Sequence, residues 1–237
     1  MVSNDLTIYC DYAHEWWIPG AIRFRSLQNI TPFRLDLIEE LLGGVAGRVV
    51  YDIGCGGGLL SVPLLDLGAE VVGVDISSAS IAAARGAARG RGEFFVGDAR
   101  SVPLPDGTAD IVLLADLVDH IPDYNVALME ASRLLKPGGK VFVGTINRTL
   151  RSWIGAIILG EGLRLIPPGT HRWSMFVKPA ELAGAGVAAK LRLITTQGES
   201  IDLWQTIRRW AIHLNRSPDC SMAYSMVFEK SGDSGEL

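Results

Sequence analysis

The chain has 237 residues, a formal net charge of -4, and 48% hydrophobic against 20% charged residues. That hydrophobic share excludes intrinsic disorder, and the length fits one large domain with its own core, because single cores stop growing at roughly 250–300 residues. Mild acidity excludes nucleic-acid binding driven by phosphate neutralisation, and three scattered cysteines, Cys10, Cys55 and Cys220, make neither a disulfide framework nor a zinc site. They fit a reducing compartment, and the opening residues lack the basic and apolar regions of a signal peptide, so the sequence predicts a cytoplasmic protein. No uninterrupted apolar run approaches about 18 residues, which excludes a membrane-spanning helix. The mean hydropathy of +0.25 is nonetheless high for a soluble domain and points to an apolar ligand or a membrane surface.

Residues 1–45 are aromatic-rich, with His14, Trp16 and Trp17, and end in a helical stretch from Pro32 to Leu42; they read as an N-terminal helical cap on a main domain over 46–237. From Arg48 the pattern becomes regular. A buried strand over Val49 to Ile53 meets a glycine cluster, a helical stretch over Leu59 to Leu67 follows, and a second strand runs from Glu70 to Asp75. Ser77 and Ser78 are candidate caps for a helix through Ile81 to Ala88, stopped at Gly90. Further strands are predicted over Glu93 to Val96 and Asp110 to Leu114, then a helix over Asn125 to Leu135, a Lys-Pro-Gly-Gly turn and a strand over Lys140 to Thr145. Alternating strands and helices of this kind build a parallel sheet with helices on both faces. An apolar, lightly basic insertion over 147–178 breaks the alternation. After Lys178 a short helix and strands over Leu191 to Thr196 and Tyr224 to Glu229 close the sheet with an antiparallel hairpin, and the tail 231–237 reads as disordered.

The chemistry centres on Asp52-Ile-Gly-Cys-Gly-Gly-Gly, which directly follows a buried strand. Glycines permit positive φ and let backbone amides approach a ligand, and the next helix presents its positive end. Asp75 ends the second strand where a ribose would sit. A carboxylate under the loop, Asp52, would repel a pyrophosphate but suits a cationic amino-acid moiety, which favours S-adenosylmethionine over a nicotinamide dinucleotide.

With Gly97-Asp98-Ala99 after the third strand and Leu134-Leu-Lys-Pro-Gly-Gly139 before the fifth, residues 51–147 resemble the class I S-adenosylmethionine-dependent methyltransferases. The resemblance implies a Rossmann-like α/β fold with a seven-stranded, mostly parallel sheet, an N-terminal cap and an insertion after strand five. It places the cofactor against Asp52, Gly54, Cys55, Gly56, Asp75, Ile76, Asp98, Ala99 and Ala115, with Asp75 on the ribose and Asp98 on the adenine amino group. A narrower likeness lies in Asp11-Tyr-Ala-His-Glu-Trp-Trp17, Ile30-Thr-Pro-Phe-Arg34, Pro168-Gly-Thr-His171 and Lys178-Pro-Ala-Glu-Leu182, which resemble the ubiquinone-biosynthesis O-methyltransferases of polyprenylated catechols. It implies acceptor contacts at Trp17, Arg34 and His171. The region 197–221 resembles that family poorly.

Asp116-Leu-Val-Asp-His120 is the candidate catalytic constellation. On a helical turn its i, i+3, i+4 spacing would set Asp116, Asp119 and His120 on one face, a set suited to a divalent Mg, Mn or Zn ion. The resembling family has Glu-x-x-Glu-His here and uses it for a metal. Shorter Asp side chains at both carboxylate positions leave a second reading, His120 as general base without metal, and a third, an ordinary capped loop.

The expected function is O-methylation of a hydroxyl on an apolar, aromatic or polyprenylated small molecule. The alternatives are a carbon acceptor on an isoprenoid or natural product, and a non-catalytic cofactor-binding assembly subunit. Residues 148–166, with Trp153, Ile154, Ile157, Ile158, Leu163 and Ile166 at helical spacing and Arg148, Arg151 and Arg164 at the edges, read either as a buried cap or as a peripheral membrane contact.

Overall fold

A computed structural model describes residues 7–231, so the predicted disordered tail lies, apart from Ser231, outside the described residues. Helix α1 (Thr7–Asp11) and a single 3-10 turn lead into α2 (Arg25–Leu42). Helix α2 begins at Arg25 rather than at Pro32, which sits inside it. An interior proline removes a ladder hydrogen bond, but Leu37, Ile38 and Leu42 on this helix are wholly buried against the sheet, and that packing decides the matter.

Strands and helices then alternate: β1 (Val49–Ile53), α3 (Ser61–Asp66), β2 (Glu70–Asp75), α4 (Ser78–Ala88), β3 (Glu93–Val96), β4 (Ala109–Ala115), α5 (Tyr124–Leu134) and β5 (Leu135–Ile146). Helix α4 starts where a cap can form, with the Ser80 amide donating to Ser77 Oγ at 3.1 Å. After β5 the insertion carries the short α6 (Leu150–Ser152), capped by Thr149, which runs into a π-helix over Trp153–Glu161. Helix α7 (Pro179–Ala188), β6 (Leu191–Ile201), α8 (Leu203–Arg209), β7 (Leu214–Ser217) and β8 (Ala223–Lys230) complete the chain.

The sheet has eight strands in the order β3-β2-β1-β4-β5-β8-β6-β7, not the expected seven. Strands β3 to β5 in this order are parallel; β8 enters antiparallel beside β5, and β6 and β7 continue antiparallel outward. The added strand is β7, whose residues Leu-Asn-Arg-Ser carry no apolar alternation; its pairing with Gly198 to Ile201 is imposed from outside.

Central strands are apolar on both faces, as a sheet covered on two sides requires. Tyr51, Ile53, Val112, Leu114, Val141 and Val143 point to one side and pack on α5 and α7, whereas Val50, Ile111, Leu113 and Phe142 point to the other and pack on α2 and α3. Because the order reverses between β1 and β4, the loops leaving their carboxyl ends part and open a crevice. Among the described residues no helix is long and apolar enough to cross a membrane.

Candidate active site

The crevice is occupied by a cavity of about 860 Å³, large within the usual range for small-molecule sites of roughly 300–1,000 Å³. All the predicted cofactor positions, from Asp52 to Ala115, line it, as do Arg34, Asp116, Asp119, His120 and His171. Trp17 does not. Its indole donates to the Gly57 carbonyl at 2.8 Å from the outer side and is 42% exposed, so the expected acceptor contact is corrected to a brace on the glycine loop.

The loop after β1 turns through positive φ at Gly54, Gly56 and Gly58, a path that side chains resist. Gly57 lies so close beneath Trp16 that a Cβ there would sit 2.2 Å from the indole. Trp16 stacks on Phe24 at 4.0 Å, and its Nε1 donates to Ser80 Oγ, so residues ahead of the sheet roof the loop with aromatic surface. Beneath it, Asp75 accepts from the Gly56 amide through one carboxylate oxygen and from the Ser77 amide through the other, at 2.9 and 2.8 Å. Burial pushes the Asp75 carboxyl up despite these bonds. Burial also pushes Asp52 up to about 6, although Ser61 Oγ donates to it at 2.5 Å; the nearby Asp75 charge adds to the rise. Asp98 is more open, and hydrogen bonding from the Arg100 guanidinium holds it below the usual carboxylate range.

The predicted common face of Asp116, Asp119 and His120 is not formed. Asp116 follows β4 in the left-handed region at φ 53, and the chain turns over 118–120 with the His120 amide donating to Leu117 at 2.8 Å. This break in helical geometry sends Asp116 to Arg34, whose Nε and Nη2 grip both carboxylate oxygens at 3.1 and 2.7 Å. Arg34 is wholly buried; its Nη1 donates to Glu199 at 2.5 Å and to Ser225 at 3.2 Å. Gly144 on β5 makes room, since a Cβ there would lie 2.9 Å from the guanidinium carbon. Burial alone would lower the Arg34 pKa, but the two carboxylates outweigh it and keep the side chain charged. Arg34, expected to bind the acceptor, therefore holds the wall of the cavity. A divalent ion on the predicted ligand set would lie against this cation with Asp116 already engaged, so the set does not fit a metal.

The structure gathers Asp119, His120 and His171 instead, with side-chain donor atoms all within 4.8 Å of one another. Asp119 accepts from Thr145 at 3.0 Å. Burial lowers the His120 pKa, the Asp119 charge opposes this, and nearby His171 adds to the lowering. The two imidazole centroids are 5.3 Å apart. Behind His171 stands Glu161, which ends the π-helix and which sequence reasoning missed. A signal existed: Glu161 is the single acidic residue in the apolar stretch from 149 to 171. Glu199 offered none, because its partner Arg34 lies 165 residues away.

Sheet order, glycine loop and the carboxylates ending β1 and β2 define a Rossmann-like methyltransferase. Comparison with known proteins agrees: the family model described as a methyltransferase domain matches residues 51–143. The ubiquinone biosynthesis O-methyltransferase of Bordetella avium is 39% identical over 194 residues, covering 79% of each chain. That of Cupriavidus pinatubonensis is 33% identical over 233 residues, 96% of this chain and 90% of its own. A solved S-adenosylmethionine-dependent methyltransferase from Thermotoga maritima superposes with a TM-score of 0.65 at 20% identity, covering 93% and 95% of the two chains, and shares the fold. The chain belongs to the ubiquinone biosynthesis O-methyltransferase family and is an S-adenosylmethionine-dependent methyltransferase acting on a small-molecule acceptor.

Two predictions follow from the buried charges. Arg34→Ala leaves Glu199 charged in the interior and should cost about 3–5 kcal/mol in urea unfolding, with Glu199→Gln recovering part of the loss in the double variant. Additive losses would show that the pair is not coupled. For Asp52, the folded-state pKa lies above the unfolded value, so the unliganded protein loses stability as pH rises between about 4 and 6. Asp52→Asn should therefore stabilise the unliganded protein at pH 7 by up to about 3 kcal/mol, with the gain fading toward pH 4. A pH-independent difference in melting would contradict this assignment.

Proposed function

We propose that the protein transfers the methyl group of S-adenosylmethionine to a hydroxyl of an apolar, aromatic acceptor of the quinone-precursor type. One observation carries this reading: a single cavity joins the glycine loop, with Asp52, Asp75 and Asp98, to an end where His120 and His171 stand beside Ala156, Ile166, Ile201 and Met222. In this reading Asp75 takes the ribose hydroxyls, Asp98 the adenine amino group, and Asp52 the cationic amino group, whose charge would draw off the proton that burial favours. The sulfonium methyl is already activated, so the protein has to align the hydroxyl oxygen with it and remove a proton; alignment and base catalysis are each large effects. An imidazole kept neutral by burial, as at His120, can accept or orient that hydroxyl. A carbon acceptor or a non-catalytic role finds less support in a family whose curated relatives are named as O-methyltransferases.

We also propose a peripheral membrane contact through 148–166. Leu150, Trp153, Ile154, Ile158, Leu159 and Leu163 are exposed, whereas Gly155, Ala156 and Gly160 face inward and Ile157 and Ile166 are half-buried. This is an apolar surface turned outward, larger than scattered exposed residues produce. Arg148 pairs with Glu181, and Arg151 with Ser221 and Asp219, so the arginines contribute less to lipid attraction than their number suggests. Helix α8 also exposes apolar side chains, Leu203, Trp204 and Ile207, beside Arg208 and Arg209, and the exposed Trp210 follows it.

Purified protein with S-adenosylmethionine and a prenylated phenol or catechol should yield an O-methyl product by mass spectrometry, and Asp75→Ala should weaken cofactor binding by about 1.5–3 kcal/mol in calorimetry. A C-methyl product, or unchanged cofactor affinity, would overturn those roles. In sedimentation with anionic vesicles at low salt, the wild-type protein should pellet and Ile158→Glu should shift it to the supernatant. Wild-type protein staying in the supernatant would make the insertion a cap and the acceptor a soluble molecule.

A further inference from the structure

Two imidazoles stand at the acceptor end, and one of them is built into a carboxylate–imidazole pair. Glu161 Oε1 accepts from the His171 amide at 2.9 Å and lies 3.2 Å from His171 Nδ1, while Oε2 accepts from the Gly169 amide at 2.7 Å. Both side chains are about nine-tenths buried. Burial alone would raise the Glu161 pKa, yet hydrogen bonds from the His171 ring and from the two amides hold it below the usual range, so Glu161 is an anion with both oxygens engaged. An ionised carboxylate only accepts hydrogen bonds, so Nδ1 presents a hydrogen to Glu161, and the tautomer that this contact selects in a neutral ring carries its lone pair on Nε2. The imidazole lines the cavity beside His120.

We infer that Glu161 and His171 form the proton-accepting dyad for the acceptor hydroxyl, with His171 Nε2 as the base and Glu161 as the residue that fixes its tautomer. The inference rests on the hydroxyl-acceptor reading above and assigns the base within it. As the oxygen lone pair attacks the methyl carbon, the carbon–sulfur bond breaks with its electrons remaining on sulfur, which becomes a neutral thioether. The O–H proton passes to Nε2, and the imidazolium so formed is stabilised by the Glu161 charge until it releases the proton to solvent. No oxidant, reductant or metal enters the balance. A carboxylate behind a base imidazole is a recurring device because it sets the ring's orientation and favours the charged form. The π-helix contributes by ending at Glu161, directly beneath the 169–171 loop.

The test separates deprotonation from every other role by changing the acidity of the acceptor. His171→Gln, Glu161→Gln and His120→Gln proteins are assayed with S-adenosylmethionine against an ordinary phenol and against a nitrophenol already ionised at the assay pH, with cofactor affinity measured by calorimetry. For the ordinary phenol, His171→Gln should lower kcat by ~100-fold or more, with KM and cofactor affinity little changed, and Glu161→Gln should act in the same direction more weakly. With the ionised acceptor both variants should approach the wild-type rate, because the proton is already gone. Equal losses on both acceptors would overturn the inference, as would rescue of His120→Gln but not of His171→Gln. Wild-type protein that binds the cofactor yet methylates neither phenol would overturn the hydroxyl-acceptor reading itself, a pattern distinct from any difference among the variants.

Discussion

A fully buried guanidinium cannot be left without counter-charges, and Arg34 obtains two of them, with a hydroxyl as third partner. It comes from α2, crosses the face of β5 at Gly144, grips Asp116 at the end of β4, and meets Glu199 on β6 and Ser225 on β8. Removing one member of such a group leaves the others charged in a low dielectric, so these elements must converge together or not at all. The convergence fixes one wall of the cavity. It also holds Asp116 in a left-handed conformation that an isolated chain would disfavour by roughly 1–2 kcal/mol, a strain that a bidentate charged pair can outweigh.

The opposite end of the cavity depends on exclusion of water. Trp16 packs on Gly56 and Gly57 and stacks on Phe24, which keeps solvent off the glycine loop, while Asp52 and Asp75 are themselves largely buried. Desolvation without a counter-ion makes both carboxylates better proton acceptors than in water, and that unfavourable burial becomes favourable when a cation arrives, because the same low dielectric strengthens its attraction. The site thus holds a cost in the empty state that a cationic ligand relieves and a pyrophosphate would increase. On the proposed reading, preference for a sulfonium amino acid over a dinucleotide rests on the burial of Asp52, the carboxylate assigned to the cationic amino group.

Most of the parallel sheet was legible because its signals are local. Continuous apolar runs mark β1 and β4, glycines mark the loop between β1 and α3, and a serine cap marks the start of α4. What was not legible depends on partners distant in sequence. The i, i+3, i+4 spacing of Asp116, Asp119 and His120 suggested one face, but spacing makes a face only on a helix, and Arg34 draws Asp116 into a conformation where helical geometry ends. Strand β7 has no pattern of its own, and Pro32 looked like a helix start because proline's local preference is strong where packing is weak. Trp17 was placed at the acceptor because sequence neighbours cannot reveal that Trp16 turns inward and Trp17 outward.

The π-helix joins the two halves of the functional reading. An α-helix of this composition would bury its large apolar residues, yet here glycine and alanine face inward while isoleucine, leucine and tryptophan face outward. Small residues inside let the helix lie close to the loop before β8, and the wider π turn brings its last residue, Glu161, under His171. One rigid element therefore carries an apolar outer surface and an ionised inner end, with Ala156 on the cavity wall between them. An acceptor that arrives along the outer surface has to pass the same helix that positions His171. On the proposed reading, access for an apolar substrate and readiness of the base are thus properties of a single element, and a change in how that helix lies would alter both together.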